Sequence, residues 1–207
     1  MATGPRRREV AMSGHSGEHA DPAVAFESAK LGVWTFLATE VLLFGALFTA
    51  YTVFRMKYPE LFRAEHAKLD RVLGAVNTIV LITSSLMVVL GVDAIRRGKA
   101  RLFEAYFGAT ILLAGVFLCV KYAEYAAKFH HGIYPRTNLF FSIYFMLTGL
   151  HGIHVLLGMG LLSYVILLSR RGRLSASYYT PAEMSGLYWH FVDLVWIYLF
   201  PLLYLIG

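Results

Sequence analysis

Long apolar runs alternate with short charged segments along this chain. A helix that crosses about 30 Å of hydrocarbon needs about 20 mostly apolar residues. Five stretches meet that requirement: Leu31–Phe54, Val72–Val92, Leu102–Tyr122, Leu139–Leu168 and Gly186–Ile206. The fourth is longer than a perpendicular crossing needs, so it should tilt or project beyond the hydrocarbon. The segments between them (RMKYPELFRAEHAKLDR, DAIRRGKAR, AEYAAKFHHGIYPRTN and SRRGRLSASYYTPAEM) are too short to fold as separate domains. The pattern predicts an all-α integral membrane bundle of five transmembrane helices over residues 30–207. Residues 1–29 are polar, lack an apolar signal-peptide core, and read as a disordered tail in which His15 and His19 are solvated. No internal repeat is visible, which argues against a transporter built from inverted halves.

Composition agrees with the pattern. Of 207 residues, 57% are hydrophobic, above the usual share for a soluble domain. The net charge of +6 is spread through the loops, and no basic stripe carries interleaved aromatics, so nucleic acid is not an expected partner. Eleven of the 19 Lys and Arg residues fall in the tail and in the second and fourth connections, against eight on the other side. The tight clusters Arg96–Arg97–Lys99–Arg101 and Arg170–Arg171–Arg173 lie on the richer side. The bias places the N-terminus in the cytoplasm and, with five crossings, the C-terminus outside. The single cysteine, Cys119, reads as a small buried apolar residue.

Ionisable groups inside a bilayer are costly and normally face other helices in pairs. Glu40 lies about nine residues into the first run, roughly 14 Å deep at 1.5 Å per residue. A carboxyl at that depth is expected to be protonated. It then serves either as a proton-exchanging group or as a helix-packing hydrogen bond, and the residues alone leave both readings open. His151 and His154 share a face of the fourth helix, in a glycine-rich stretch (Gly149, Gly152, Gly158, Gly160) suited to close packing. The fifth helix opens with YWHFVDLVW, whose His190 and Asp193 are three apart and suggest a local neutralising pair. Asn77, Thr78, Thr83, Ser84 and Ser85 of the second helix suit interhelical hydrogen bonds. Glu124 follows Lys121 by one turn and reads as a boundary residue bonded to a neighbour, with Tyr122 and Tyr125 as interfacial anchors. His151 or His154 facing His190 would have the form of a bis-histidine haem site. Packing histidines are the plainer alternative. No protease, nucleophile-elbow or phosphate-loop motif occurs.

Five strings together carry a resemblance: WTFLATEVLLFGALFTAY, VNTIVLITSS, KYAEY, TGLHGIHVLLG and YWHFVDLVWIYLF. The chain resembles subunit III of the haem-copper respiratory oxidases from about Leu31 to its end. The resemblance implies a bacterial inner-membrane subunit that packs directly on oxidase subunit I, in a complex with subunit II. That complex reduces dioxygen to water and conserves the energy as a proton gradient. It also implies no redox centre, catalytic residue or metal in this chain. Haems and copper are then expected in partner subunits, and bound phospholipid here. The family's role for the subunit is to stabilise subunit I, support proton uptake and border an oxygen route.

Glu40 matches the family's carbodiimide-reactive carboxyl. His151, His154, His190, Asp193 and Glu124 carry over as structural or lipid-contacting positions. The long form of the family has seven helices, two of which wall a lipid-filled cleft. Only five runs are present here, as in short bacterial cytochrome c and quinol oxidases, and the YWHFVDLVW string leans towards cytochrome c. A nitric oxide reductase accessory subunit shares the helix pattern. A stand-alone proton-coupled transporter using Glu40 and His151 is the alternative from another class.

Overall fold

The computed structural model describes residues 22–206. Among them six α-helices follow in order: α1 (Pro22–Lys57), α2 (Pro59–His66), α3 (Arg71–Arg96), α4 (Ala100–His130), α5 (Leu139–Arg170) and α6 (Thr180–Phe200), the last continued by a π turn, Pro201–Leu205. Five segments are long and apolar enough to cross a membrane: Lys30–Lys57, Arg71–Arg96, Ala100–His130, Leu139–Arg170 and Thr180–Leu205. The protein is therefore an all-α, multi-pass membrane bundle.

Several bounds differ from the sequence reading, each for a local reason. α1 begins at Pro22, so the expected boundary at residue 30 falls inside a helix; His15 and His19 lie outside the described residues. α2 was not foreseen. Pro59 starts it, and Phe62 and His66, four apart, bury one face of an otherwise charged octapeptide. α4 runs eight residues past Tyr122 because Lys121, Glu124 and Lys128 recur on one face and are buried together.

Helix ends follow known capping chemistry. The Asp70 carboxylate accepts from the amides of Val72 and Leu73 at 2.9 and 3.1 Å, and the Asn138 side chain accepts from Phe141 at 2.9 Å. α3, α4 and α5 each stop at a glycine with positive φ (Gly98, Gly132, Gly172). The residue after each glycine donates back five residues, Ile133 N–H to the Lys128 carbonyl at 2.9 Å for example.

α3 packs along α4, α5 along α6, and α6 also along α3, which puts α6 at the centre. α1 lies at the edge and buries one residue per two turns: Leu37, Phe44 and Tyr51. The small polar residues of α3 meet the aromatic face of α6. Trp189 Nε1 donates to Ser84 at 3.0 Å, Trp196 Nε1 donates to Thr78 at 3.1 Å, and Ser85 bonds His190 Nδ1 at 2.7 Å. Thr83 instead donates to the Ile79 carbonyl of its own helix. Of the four glycines in α5, Gly158 alone is in a tight approach: a Cβ there would stand 2.8 Å from the Trp189 ring, whereas Gly149, Gly152 and Gly160 face open space. Cys119 is exposed, not buried, because it lies on the side of α4 opposite the buried stripe Ala114, Phe117, Lys121.

Candidate functional site

Glu40 and His154 meet across α1 and α5. Glu40 Oε2 stands 2.8 Å from His154 Nε2, with the carboxyl side chain 14% and the imidazole 8% exposed. His154 is at the midpoint of its 32-residue helix, so the contact is at mid-depth. The other ring nitrogen, Nδ1, is 2.8 Å from the Leu150 carbonyl, which can only accept. Nδ1 therefore carries a proton. The bond to Glu40 then holds one further proton, on the acid or on the imidazole. Both forms sum to zero charge, which is the requirement for burial here. Phe44 closes over the imidazole edge-on at 5.2 Å, and the Tyr188 hydroxyl donates to the His154 carbonyl at 3.2 Å.

The remaining histidines and Asp193 are held differently. His151 is fully buried between Trp196, at 5.3 Å, and Phe117, at 5.5 Å, and neither ring nitrogen has a hydrogen-bond partner among the described residues. His190 bonds Ser85 across to α3, and Asp193 Oδ1 is buried without a partner. The expected His190–Asp193 pair does not form. Both side chains face Ser85 of α3 instead of each other, and Ser85 bonds His190 Nδ1 at 2.7 Å. Asn77 likewise has both amide atoms buried and unpartnered, where the sequence suggested an interhelical bond.

A second polar site lies at the C-terminal end of α4: the sequence points to Glu124 beside Lys121, and the structure adds Lys128. Lys121, Glu124 and Lys128 are 7, 4 and 6% exposed. Glu124 Oε1 accepts from Lys128 at 3.0 Å, from Tyr144 at 2.8 Å and from Tyr204 at 2.9 Å, and its Oε2 accepts from Lys121 at 2.8 Å. Lys121 also donates to the hydroxyls of Tyr144 and Tyr204 at 3.1 and 2.9 Å, inside a box of rings from Tyr125, Tyr144, Trp196 and Tyr204, each within 5.5 Å. One carboxylate thus ties α4 to α5 and to the π turn. The i, i+3, i+7 spacing of Lys121, Glu124 and Lys128 was the available signal. It was obscured because the two lysines look like ordinary loop charges.

Among the described residues no three His, Cys, Asp or Glu side chains converge as a metal site requires. His154 and His190 both spend ring nitrogens on protein groups. The geometry provides a balanced proton-holding pair at mid-depth and a fixed ion cluster at one end.

A family model for cytochrome c oxidase subunit III matches residues 6–207. The cytochrome c oxidase subunit 3 of Thermostichus vulcanus is 37% identical over 193 residues, covering 93% of this chain and 91% of the relative. The quinol oxidase subunit 3 of Bacillus subtilis is 31% identical over 183 residues, covering 86% of each. A haem-copper oxidase subunit I+III of Aeropyrum pernix is 28% identical over 186 residues, covering 87% of this chain and 23% of that longer one.

Proposed function

This chain belongs to the family of cytochrome c oxidase subunit III, and from that premise we propose that it is the non-catalytic third subunit of a proton-pumping haem-copper terminal oxidase. The match over residues 6–207, the whole described bundle, carries the proposal. The chain packs on the catalytic subunit I, stabilises it and supports proton uptake. Electrons pass through haems and copper in partner subunits, not through this chain. What supports the partner is the relative whose name joins subunits I and III in one protein. Cytochrome c is the proposed donor, in keeping with the higher identity to the cytochrome c oxidase relative than to the quinol oxidase one.

The arginine-rich ends of α3 and α5 face the cytoplasm in this proposal, and the Lys121–Glu124–Lys128 end faces outward. An apolar pocket of about 300 Å³ between α1 and α6, lined by Val41, Phe44, Phe48, Phe191 and Tyr198, supports a place for a lipid chain or an oxygen route beside the Glu40 pair. Glu40, in its protonated form, is the carboxyl that a hydrophobic carbodiimide would modify.

Purification of the tagged chain in gentle detergent, with a visible spectrum and identification of co-purifying proteins, tests the proposal. Haem bands with a large multi-helix partner are expected, and donor assays then separate cytochrome c from quinol. A colourless chain that purifies folded and alone contradicts it and favours a stand-alone transporter.

A further inference from the structure

Two side chains hold α2 to the bundle. Of its eight residues only Phe62 and His66 are buried, at 2 and 3% exposed, while Pro59, Glu60, Arg63 and Ala64 face out. Phe62 fits edge-on between Tyr51 of α1 and Phe140 of α5, at 5.3 and 5.4 Å. His66, one turn later, faces the backbone carbonyl of Tyr204 in the π turn. The π turn is itself tied to its neighbours. Tyr51 donates to the Leu202 carbonyl at 3.0 Å, and the Tyr204 hydroxyl donates to Glu124 at 2.9 Å. Only Tyr58 separates α2 from α1, and residues 67–70 separate it from α3. α2 is thus a short charged flap laid on the end of the bundle, outside the two spans that flank it.

The surroundings of His66 suit a neutral ring and not an imidazolium. Its Nε2 is buried and has no hydrogen-bond partner among the described residues. Arg55, from the end of α1, and Arg71, from the start of α3, both repel a positive charge there. Lys57 of α1 lies over the Tyr58 ring. The neighbouring carboxylates are committed elsewhere. Glu65 pairs with Lys68 at 2.7 Å, Glu60 with Arg63 at 3.7 Å, and Asp70 caps α3. α5 presents the uncharged ring of Phe140, and the π turn presents the Tyr204 carbonyl while that residue's hydroxyl is on Glu124. A proton added to the docked ring therefore makes a buried cation beside two others, with one carbonyl to answer it. The same ring in water carries no such penalty, so acid favours the undocked form.

We propose that α2 is an acid-released flap: protonation of His66 undocks it from the π turn and frees Leu69, which is buried in the link that follows it. The inference rests on local geometry and on the place of α2 outside the spans, independently of the oxidase role. It is tested on the full chain as it purifies from membranes, in its complex or alone, with Cys119→Ser removing the native thiol. Leu69→Cys puts a thiol in the buried link, and Ala64→Cys, exposed on α2, calibrates the effect of pH on the thiol itself. The ratio of their labelling rates with a water-soluble methanethiosulfonate should rise as the pH falls from neutral to about 5.5. Linkage limits that rise to about tenfold, reached when the docked ring takes up no proton. His66→Phe should keep the ratio low and flat, and His66→Lys should hold it high at both pH values. A flat ratio with His66 in place, or the same rise in His66→Phe, would overturn the proposal. Amide hydrogen exchange on the unsubstituted protein, corrected for the intrinsic effect of pH, decides the matter where Leu69→Cys fails to fold. Residues 59–70 should exchange faster in acid while α3 does not. An equal increase along the whole chain would mark general acid unfolding and overturn the flap.

Discussion

At the midpoint of α5 one acid meets one base, and at the end of α4 one acid meets two. The Glu40–His154 pair carries no net charge wherever its shared proton sits, and it joins the edge helix α1 to the bundle by a single hydrogen bond. The Lys121–Glu124–Lys128 cluster is fully ionised by its own geometry, since both tyrosines and both lysines donate to the same carboxylate. The difference follows depth. Hydrocarbon at mid-depth tolerates only a neutral arrangement, whereas the end of a long helix can draw on headgroups and water for charge. The first site is a neutral link between two helices. The second serves as a brace across three elements.

The largest effect should come from removing the shared acid of the brace. Glu124→Gln strands two buried ammonium groups and should cost about 3–5 kcal/mol, read as a fall in the thermal midpoint in detergent. The double variant Lys121→Met/Glu124→Gln should recover part of that loss, and no recovery would show that the charges are not coupled. His154→Phe is a smaller insult. It leaves the Glu40 carboxyl unpaired at mid-depth and should cost about 1–3 kcal/mol, with α1 gaining protease sensitivity first. Unchanged stability in that variant would mean that Glu40 finds another partner and that the pair does not hold α1.

The smallest effect lies outside the membrane, at His66 of α2. Burial, reinforced by the charges of Arg71 and Arg55, lowers its pKa below the ordinary 6.5. A depressed histidine pKa means that the unfolded chain binds the proton more readily, so the stability it contributes is present above about pH 6.5 and lost as the pH falls below it. A series of melting curves from neutral to mildly acidic pH should show this slope, and His66→Phe should flatten it.

The apolar spacing alone located the five crossings, because a 20-residue apolar run has few other places to be. It missed α2, whose two buried residues are too few to make a pattern in eight, and it set the end of α4 too early, because buried lysines are indistinguishable in sequence from surface ones. Glu40 and His154 were each visible as intramembrane ionisable groups, but their pairing spans 114 residues of chain and belongs to the packing of α1 on α5. The local spacing of His190 and Asp193 misled for the converse reason. Neighbours on one helix face were outcompeted by Ser85 on the helix opposite.

Steady-state oxygen reduction by an assembled Glu40→Gln complex tests most directly whether this chain supports the chemistry rather than performs it. The glutamine amide can donate to His154 Nε2, so the contact persists while the exchangeable proton is gone. Oxygen reduction largely retained, with carbodiimide labelling of this chain abolished, is the result expected. Loss of nearly all turnover in a complex that still contains every subunit and its haem spectrum would contradict the account.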